Sequence, residues 1–185
     1  MQSNVTDSLR AIEVQWHLIC IRFDEWMRVD VFRIRWWFLL IMFLVAVFVW
    51  WKTIDKTRFS EIVLYAAIVS IFALVLDELG EELALWDYPI DIFPLFPPIS
   101  AVNLASLPMI YSLIYQNFRT WKKFIIASIV MALVFSFILE PLFVLVGIYQ
   151  ILTWKYYYGF PIYIAIAICT KAAVIRFYSI KAKYK

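Results

Sequence analysis

Asp77-Glu78-Leu79-Gly80-Glu81-Glu82-Leu83-Ala84-Leu85-Trp86-Asp87-Tyr88 sets four carboxylates, Asp77, Glu78, Glu81 and Glu82, at the end of an apolar run that starts near Phe59. Read as one helix, the stretch puts Asp77 on a face with Glu81, and Glu78 with both Glu81 and Glu82. Carboxylates at the end of a membrane-length apolar run are expensive there unless they meet partners or water, and this marks a functional site by default. The other reading is a helix end with its acids in headgroup water.

The composition around this stretch supports a bilayer setting. Of 185 residues, 65% are hydrophobic and 19% aromatic, and the mean hydropathy is +0.82. Soluble domains carry roughly 45–50% apolar residues, so an integral membrane protein is expected. Three glycines leave no Gly-rich phosphate cradle, and no cofactor is implied. The net charge of +3 comes from basic residues flanking apolar runs, which reads as topology and not as nucleic-acid binding. His17 is the lone histidine, so no His-based metal site is expected. Cys20 and Cys169 sit in apolar surroundings and are expected as buried thiols, with no disulfide framework.

The fold expected is all-α, an integral membrane helical bundle of about five transmembrane helices preceded by an amphipathic interfacial helix. Residues 1–7 are polar and read as loose. Leu9, Ile12, Trp16, Ile19, Phe23 and Met27 then recur at helical spacing, with Arg10, Glu13, His17, Asp24 and Arg28 on the other side, as in a helix lying in a membrane interface. Residues 1–35 form this start and 36–185 the membrane domain. Its spans are expected at about 36–53, 59–86, 99–118, 124–148 and 160–178. Pro89, Pro94, Pro97 and Pro98 preclude a regular helix between the second and third. Lys52, Lys56, Arg58, Arg119, Lys122, Lys123 and the basic C-terminal segment fall on one side, read as cytoplasmic. The arginines of the first helix would lie opposite, held among headgroups.

Counting about 1.5 Å per residue into a hydrocarbon core about 30 Å thick brings several polar groups to one level. Asp77 and Glu78 lie in the outer third of the second span, with Glu81 and Glu82 a turn further. Glu140 reaches a similar height in the fourth span, and Asn103 lies about a turn down the third. Lys155 sits above them in a loop beside Trp154 and the aromatic run Tyr156-Tyr157-Tyr158. Leu142 to Val146 follow Glu140 and leave it no early exit from the membrane. An isolated ionised carboxylate there costs about 2.5 kcal/mol or more on insertion scales, so it must pair, protonate or line water. Pro141, directly after Glu140, is expected to break its helix, as is Pro108 in the third span. Lys171, deeper in the fifth span, is expected to snorkel toward the cytoplasm.

Several short signatures occur together: Asp77-Glu78-Leu79-Gly80 with Leu85-Trp86-Asp87-Tyr88, Tyr111-Ser112-Leu113-Ile114-Tyr115-Gln116, Trp121-Lys122-Lys123-Phe124, Phe135-Ser136-Phe137-Ile138-Leu139-Glu140-Pro141, and Trp154-Lys155-Tyr156 before Phe160-Pro161-Ile162-Tyr163. Over about residues 60–165 the chain resembles an uncharacterised family of small multi-pass membrane proteins of spore-forming Gram-positive bacteria. The resemblance implies a bacterial cytoplasmic or spore inner membrane, and no activity, cofactor or catalytic residue.

Three functions are compatible with these residues. The first is a membrane protein with an acidic polar cavity near the outer leaflet, for a proton, cation, amine or lipid headgroup, in transport or sensing. The second is an intramembrane enzyme acting on a lipid or isoprenoid by carboxylate acid–base chemistry. The third is an assembly subunit whose acids pair with another chain. The lipid bilayer is the partner common to all, and a homo-oligomer fits the small size.

Overall fold

A computed structural model describes residues 2–90, 92 and 106–184. Helix α1 (Gln2–Glu25) runs into a π turn (Trp26–Asp30) and is followed by α2 (Ile34–Thr53), α3 (Phe59–Glu82) and α4 (Leu107–Asn117). Then come α5 (Trp121–Val134), a second π turn (Phe135–Leu139), α6 (Glu140–Val146) and α7 (Tyr156–Lys183). Strands β1 (Trp86–Asp87) and β2 (Gln150–Ile151) form one short antiparallel pair, with Trp86 opposite Ile151 and Asp87 opposite Gln150. The protein is an all-α helical bundle, 83% helical among the described residues.

Four helical stretches are long and apolar enough to cross a membrane: Ile34–Thr53, Lys56–Glu82, Trp121–Val146 and Tyr156–Lys183. They imply a bilayer environment. The expected third span, 99–118, is represented among the described residues by α4 alone; Asn103, Pro94, Pro97 and Pro98 lie outside the described residues. Tyr115 at the end of α4 bonds Glu61 at the start of α3, while Leu107 and Asp77 meet at the other end. These two helices therefore run antiparallel.

The core explains which faces turn inward. Ile62, Tyr65 and Val69 of α3, Tyr111 and Tyr115 of α4, Phe124, Met131 and Phe135 around α5, and Ile166, Ala167 and Val174 of α7 form one buried cluster. The sets advance by three, four or seven residues, with Ile166 and Ala167 side by side, the stripe of a helix packed on one side. Tyr65 stacks on Tyr115 at 4.3 Å, and the Trp50 indole donates to Ser112 Oγ at 2.8 Å, tying α2 to α4.

Several expectations are corrected. The polar start is helical from Gln2 onward, and α1 leaves Leu9, Ile12, Trp16, Phe23 and Met27 exposed as well as its charged face. Cys20 and Cys169 are both exposed and free, because their apolar neighbours form the outer surface of the helices and not the core. Helix α7 begins at Tyr156, so the aromatic run 156–158 is its first turn and not loop.

The second span ends at Glu82, not Trp86. Ala84 adopts φ 50°, Leu85 N–H donates to Gly80 O at 2.8 Å and Ala84 N–H to Glu81 O at 2.9 Å. This paired closure satisfies the last carbonyls and reverses the chain. Helix α6 ends in the same way at Gly147 (φ 75°), with Ile148 N–H on Phe143 O at 3.0 Å and Gly147 N–H on Val144 O at 3.1 Å. The two reversed chains then pair as β1 and β2. The Leu85 carbonyl accepts the N–H groups of Leu152, Thr153 and Trp154, so a knot of backbone bonds closes one end of the bundle.

Candidate binding cavity

Beneath that knot lies a cavity of about 310 Å³ walled by α3, α4, the π turn, α6 and α7. Its lining is mostly apolar and aromatic, with Trp86, Tyr88, Tyr111, Tyr149, Trp154 and Tyr163 contributing rings. Two carboxylates reach it, Asp77 and Glu140. They are 6% and 8% exposed.

Asp77 is turned inward because it continues the α3 stripe of Ile62, Tyr65 and Val69, which ends at Gly80. Tyr88, brought back by the reversal after α3, donates its hydroxyl to Asp77 Oδ1 at 2.8 Å. Gly80 makes room for the returning chain: a Cβ there would fall 2.0 Å from Trp86 Cζ2, so the indole rests directly on the helix backbone.

Glu140 is turned inward by the π turn. Buried positions on this span step from Phe124 to Ser128, then through the neighbours Met131–Ala132 and Phe135–Ser136 to Glu140, which lies five residues after Phe135 and four after Ser136. Glu140 N–H donates to Phe135 O across the widened turn. Pro141 has no N–H to give and occupies the first turn of α6, so the widening accommodates the proline within one span. Pro108 is the second residue of α4, and Ser106 before it is also helical, in a π conformation. Positions 101–105, on which the expected break at Pro108 depends, lie outside the described residues.

Tyr163 donates to Glu140 Oε1 at 2.7 Å. Gly159 lets the carboxylate approach α7: a Cβ there would lie 3.1 Å from Glu140 Oε1 and 3.4 Å from Ser136 Oγ. The second oxygen, Glu140 Oε2, and Ser136 Oγ are buried with no hydrogen-bond partner among the described residues. Farther down the same wall, Tyr111 donates to Tyr163 O at 2.8 Å and Tyr65 to Ala167 O at 3.3 Å. Tyr149, on the turn above, has its phenol held protonated well beyond the usual range, by burial first and then by the negative potential of Glu140 and Asp77. Both acids are thus within electrostatic reach of Tyr149.

The remaining candidates lie elsewhere. Glu78 and Glu81 are half-buried and Glu82 is exposed, and none of the three lines the cavity; Glu78 Oε2 has no hydrogen-bond partner among the described residues. Lys155 is exposed before α7 with Nζ 5.9 Å from the Tyr157 ring, and it is not in the lining either. His17 is exposed on α1. Among the described residues no group of three or more His, Cys, Asp or Glu side chains is placed to hold a metal ion.

Lys171 departs from its expected role. It is 2% exposed because it lies on the inward stripe of α7 with Ala167, Thr170 and Val174. Its Nζ donates to Phe118 O at 3.1 Å and Arg119 O at 2.9 Å, and sits 4.0 Å from the centre of the Phe124 ring. The amine caps the carbonyl end of α4, where the helix dipole is negative, and clamps the α4–α5 turn to α7.

Sequence reasoning missed Tyr88, Tyr149, Tyr163, Trp86 and Gly159 as parts of the cavity. One signal was present: Gly159 stands alone within Tyr156-Tyr157-Tyr158-Gly159-Phe160, and a single glycine among bulky residues marks a close approach. Comparison with known proteins finds no matching family model, no matching curated protein and no matching solved structure.

Proposed function

We propose that the cavity binds a cationic amine carried on an apolar body, in transport or sensing of such a molecule across or within the membrane. What supports this reading is one observation: two buried carboxylates open onto a single aromatic cavity, and one of their oxygens, Glu140 Oε2, lacks a hydrogen-bond partner among the described residues. A protonated amine supplies N–H donors for such an oxygen and the positive charge that a carboxylate pair calls for. The rings of Trp86, Tyr88, Tyr149 and Trp154 suit both the cation and the apolar body. Tyr88 and Tyr163 would hold the carboxylates in place before the ligand arrives. The membrane in this proposal is the cytoplasmic or spore inner membrane of a Gram-positive bacterium, on the resemblance of residues 60–165, with the cavity toward the outer leaflet.

The test is thermal stability of the purified protein with phenethylamine and with its neutral counterpart, 2-phenylethanol. The amine is expected to stabilise the protein more, and both Glu140→Gln and Asp77→Asn are expected to abolish the difference. Equal effects of amine and alcohol on wild type would overturn the proposal, as would an undiminished amine preference in both variants.

The assembly reading keeps one observation of its own. Only 6% of the α2 span window is buried inside the chain, which leaves that helix to lipid or to another helix. Concentration-dependent self-association in detergent, lost on placing a bulky residue on α2, is the outcome that would favour it.

A further inference from the structure

We infer that the groove between α4 and α5 is a binding site for an anionic phospholipid. The groove has a volume of about 600 Å³, flanks the buried stripe of α5 with Met131 and Phe135 at its floor, and is separate from the carboxylate cavity in all but Phe135 and Leu139. Ile110 and Ile114 of α4 form one wall and Ile126, Val130 and Val134 of α5 the other. A single charged side chain lines it, Lys123, at the end where the α4–α5 turn closes the hairpin.

This arrangement selects its occupant on two grounds. From Lys123 to Leu139 the lining on this span extends about 24 Å at the rise of an α-helix, more than half of a hydrocarbon core about 30 Å thick. That is long enough to seat one acyl chain of one leaflet. At the charged end, Lys122 and Lys123 are exposed and neither forms an ion pair among the described residues. Arg119 is turned to other work, within electrostatic reach of Asp55 and Glu61. Lys123 in the lining, with exposed Lys122 next to it in the chain, matches a phosphate joined to an acyl chain, and a phosphatidylglycerol-type lipid offers both without a competing cation. A zwitterionic lipid brings its own ammonium against the lysines.

The experiment is native mass spectrometry of the detergent-purified chain, incubated with equal amounts of 1-palmitoyl-2-oleoyl phosphatidylglycerol and the matching phosphatidylcholine. Wild type is expected to retain the anionic lipid several-fold over the zwitterionic one. Lys122→Gln with Lys123→Gln is expected to bring the ratio to parity. Val130→Trp, at a position 55% exposed where the indole has room to fill the channel without entering the core, is expected to reduce retention of both lipids. Melting curves for each variant confirm the fold. Equal retention of the two lipids by wild type overturns the inference. So does a phosphatidylglycerol preference that survives the lysine changes. A preference lost with the lysines but untouched by Val130→Trp also overturns it, since that describes a basic patch with no groove behind it.

Discussion

Lys171→Met tests whether a buried amine holds the bundle together at the end away from the cavity. The change keeps an unbranched side chain of similar reach and removes two charge-assisted hydrogen bonds, to Phe118 O and Arg119 O. Bonds to a charged group contribute roughly 1.5–3 kcal/mol each, and an amine over an aromatic face about 0.5–2 kcal/mol. Against these stands the desolvation of the ammonium, which methionine does not incur. Phe118 and Arg119 are exposed residues of the α4–α5 turn, so water can replace part of the lost bonding, and a net destabilisation of about 1–2 kcal/mol is expected. The assay is reversible unfolding in mixed micelles with increasing dodecyl sulfate, followed by helical circular dichroism. Lys171→Arg, which retains donors in a site with little spare room, is expected to fall between the two. A Lys171→Met protein within about 0.5 kcal/mol of wild type, inside the scatter of ordinary surface substitutions, would refute the clamp.

Three further outcomes follow from geometry already described. Gly80→Ala gains about 1 kcal/mol of helix propensity but drives a Cβ into the Trp86 indole at 2.0 Å, so the ring must leave its seat; a change in near-ultraviolet circular dichroism with a net loss of about 1 kcal/mol is expected, and an unchanged tryptophan signal would count against that contact. Gly159→Val crowds Glu140 Oε1 and Tyr163 and is expected to weaken phenethylamine stabilisation at least several-fold while leaving the helical spectrum intact; full retention would separate Glu140 from the binding site. The Asp55 carboxylate accepts bonds from the Thr57 hydroxyl at 2.7 Å and the Thr57 N–H at 3.0 Å, and these hold its pKa below the usual aspartate value. A group with a lowered folded pKa stabilises above its unfolded value, near 3.9, and the contribution disappears as pH falls through the folded one. Asp55→Asn should therefore flatten the stability profile below about pH 4 and leave its slope between pH 6 and 8 unchanged, which paired melts across both ranges would reveal.

Four of the five expected spans were legible because a 3.6-residue stripe and about twenty apolar residues are strong, local signals, whereas the expected third span falls largely outside the described residues. Counting residues into each span also puts Asp77 and Glu140 at one level, and both line the cavity. Which of the four clustered acids turns inward was legible in principle, since Asp77 alone continues the stripe of Ile62, Tyr65 and Val69. Other features leave no such trace. The reversal after Glu82 runs through a left-handed residue that is Ala84 and not glycine, so the usual mark of a helix end is missing. Two-residue strands 64 positions apart have no periodicity to detect. The partners of Lys171 are backbone carbonyls, which every residue possesses, so only the fold could name Phe118 and Arg119. Tyr88 and Tyr163 reach their acids by chain reversal and by helix packing, and neither depends on spacing within one element.

The π turn between Phe135 and Leu139 carries a consequence for how this span is counted. It inserts one surplus residue into an otherwise regular helix, and the two halves face their surroundings in different registers. Wound as a regular α-helix with the same residues, this span would put Ile138 or Leu139 in the inward position after Phe135 and swing Glu140 by about 100°. A one-residue deletion between positions 135 and 139 would instead bring Glu140 to the fourth position after Phe135, so a regular helix would keep its facing and that of the side chains above it. In this span length and facing are set separately, and the acid owes its address to the facing.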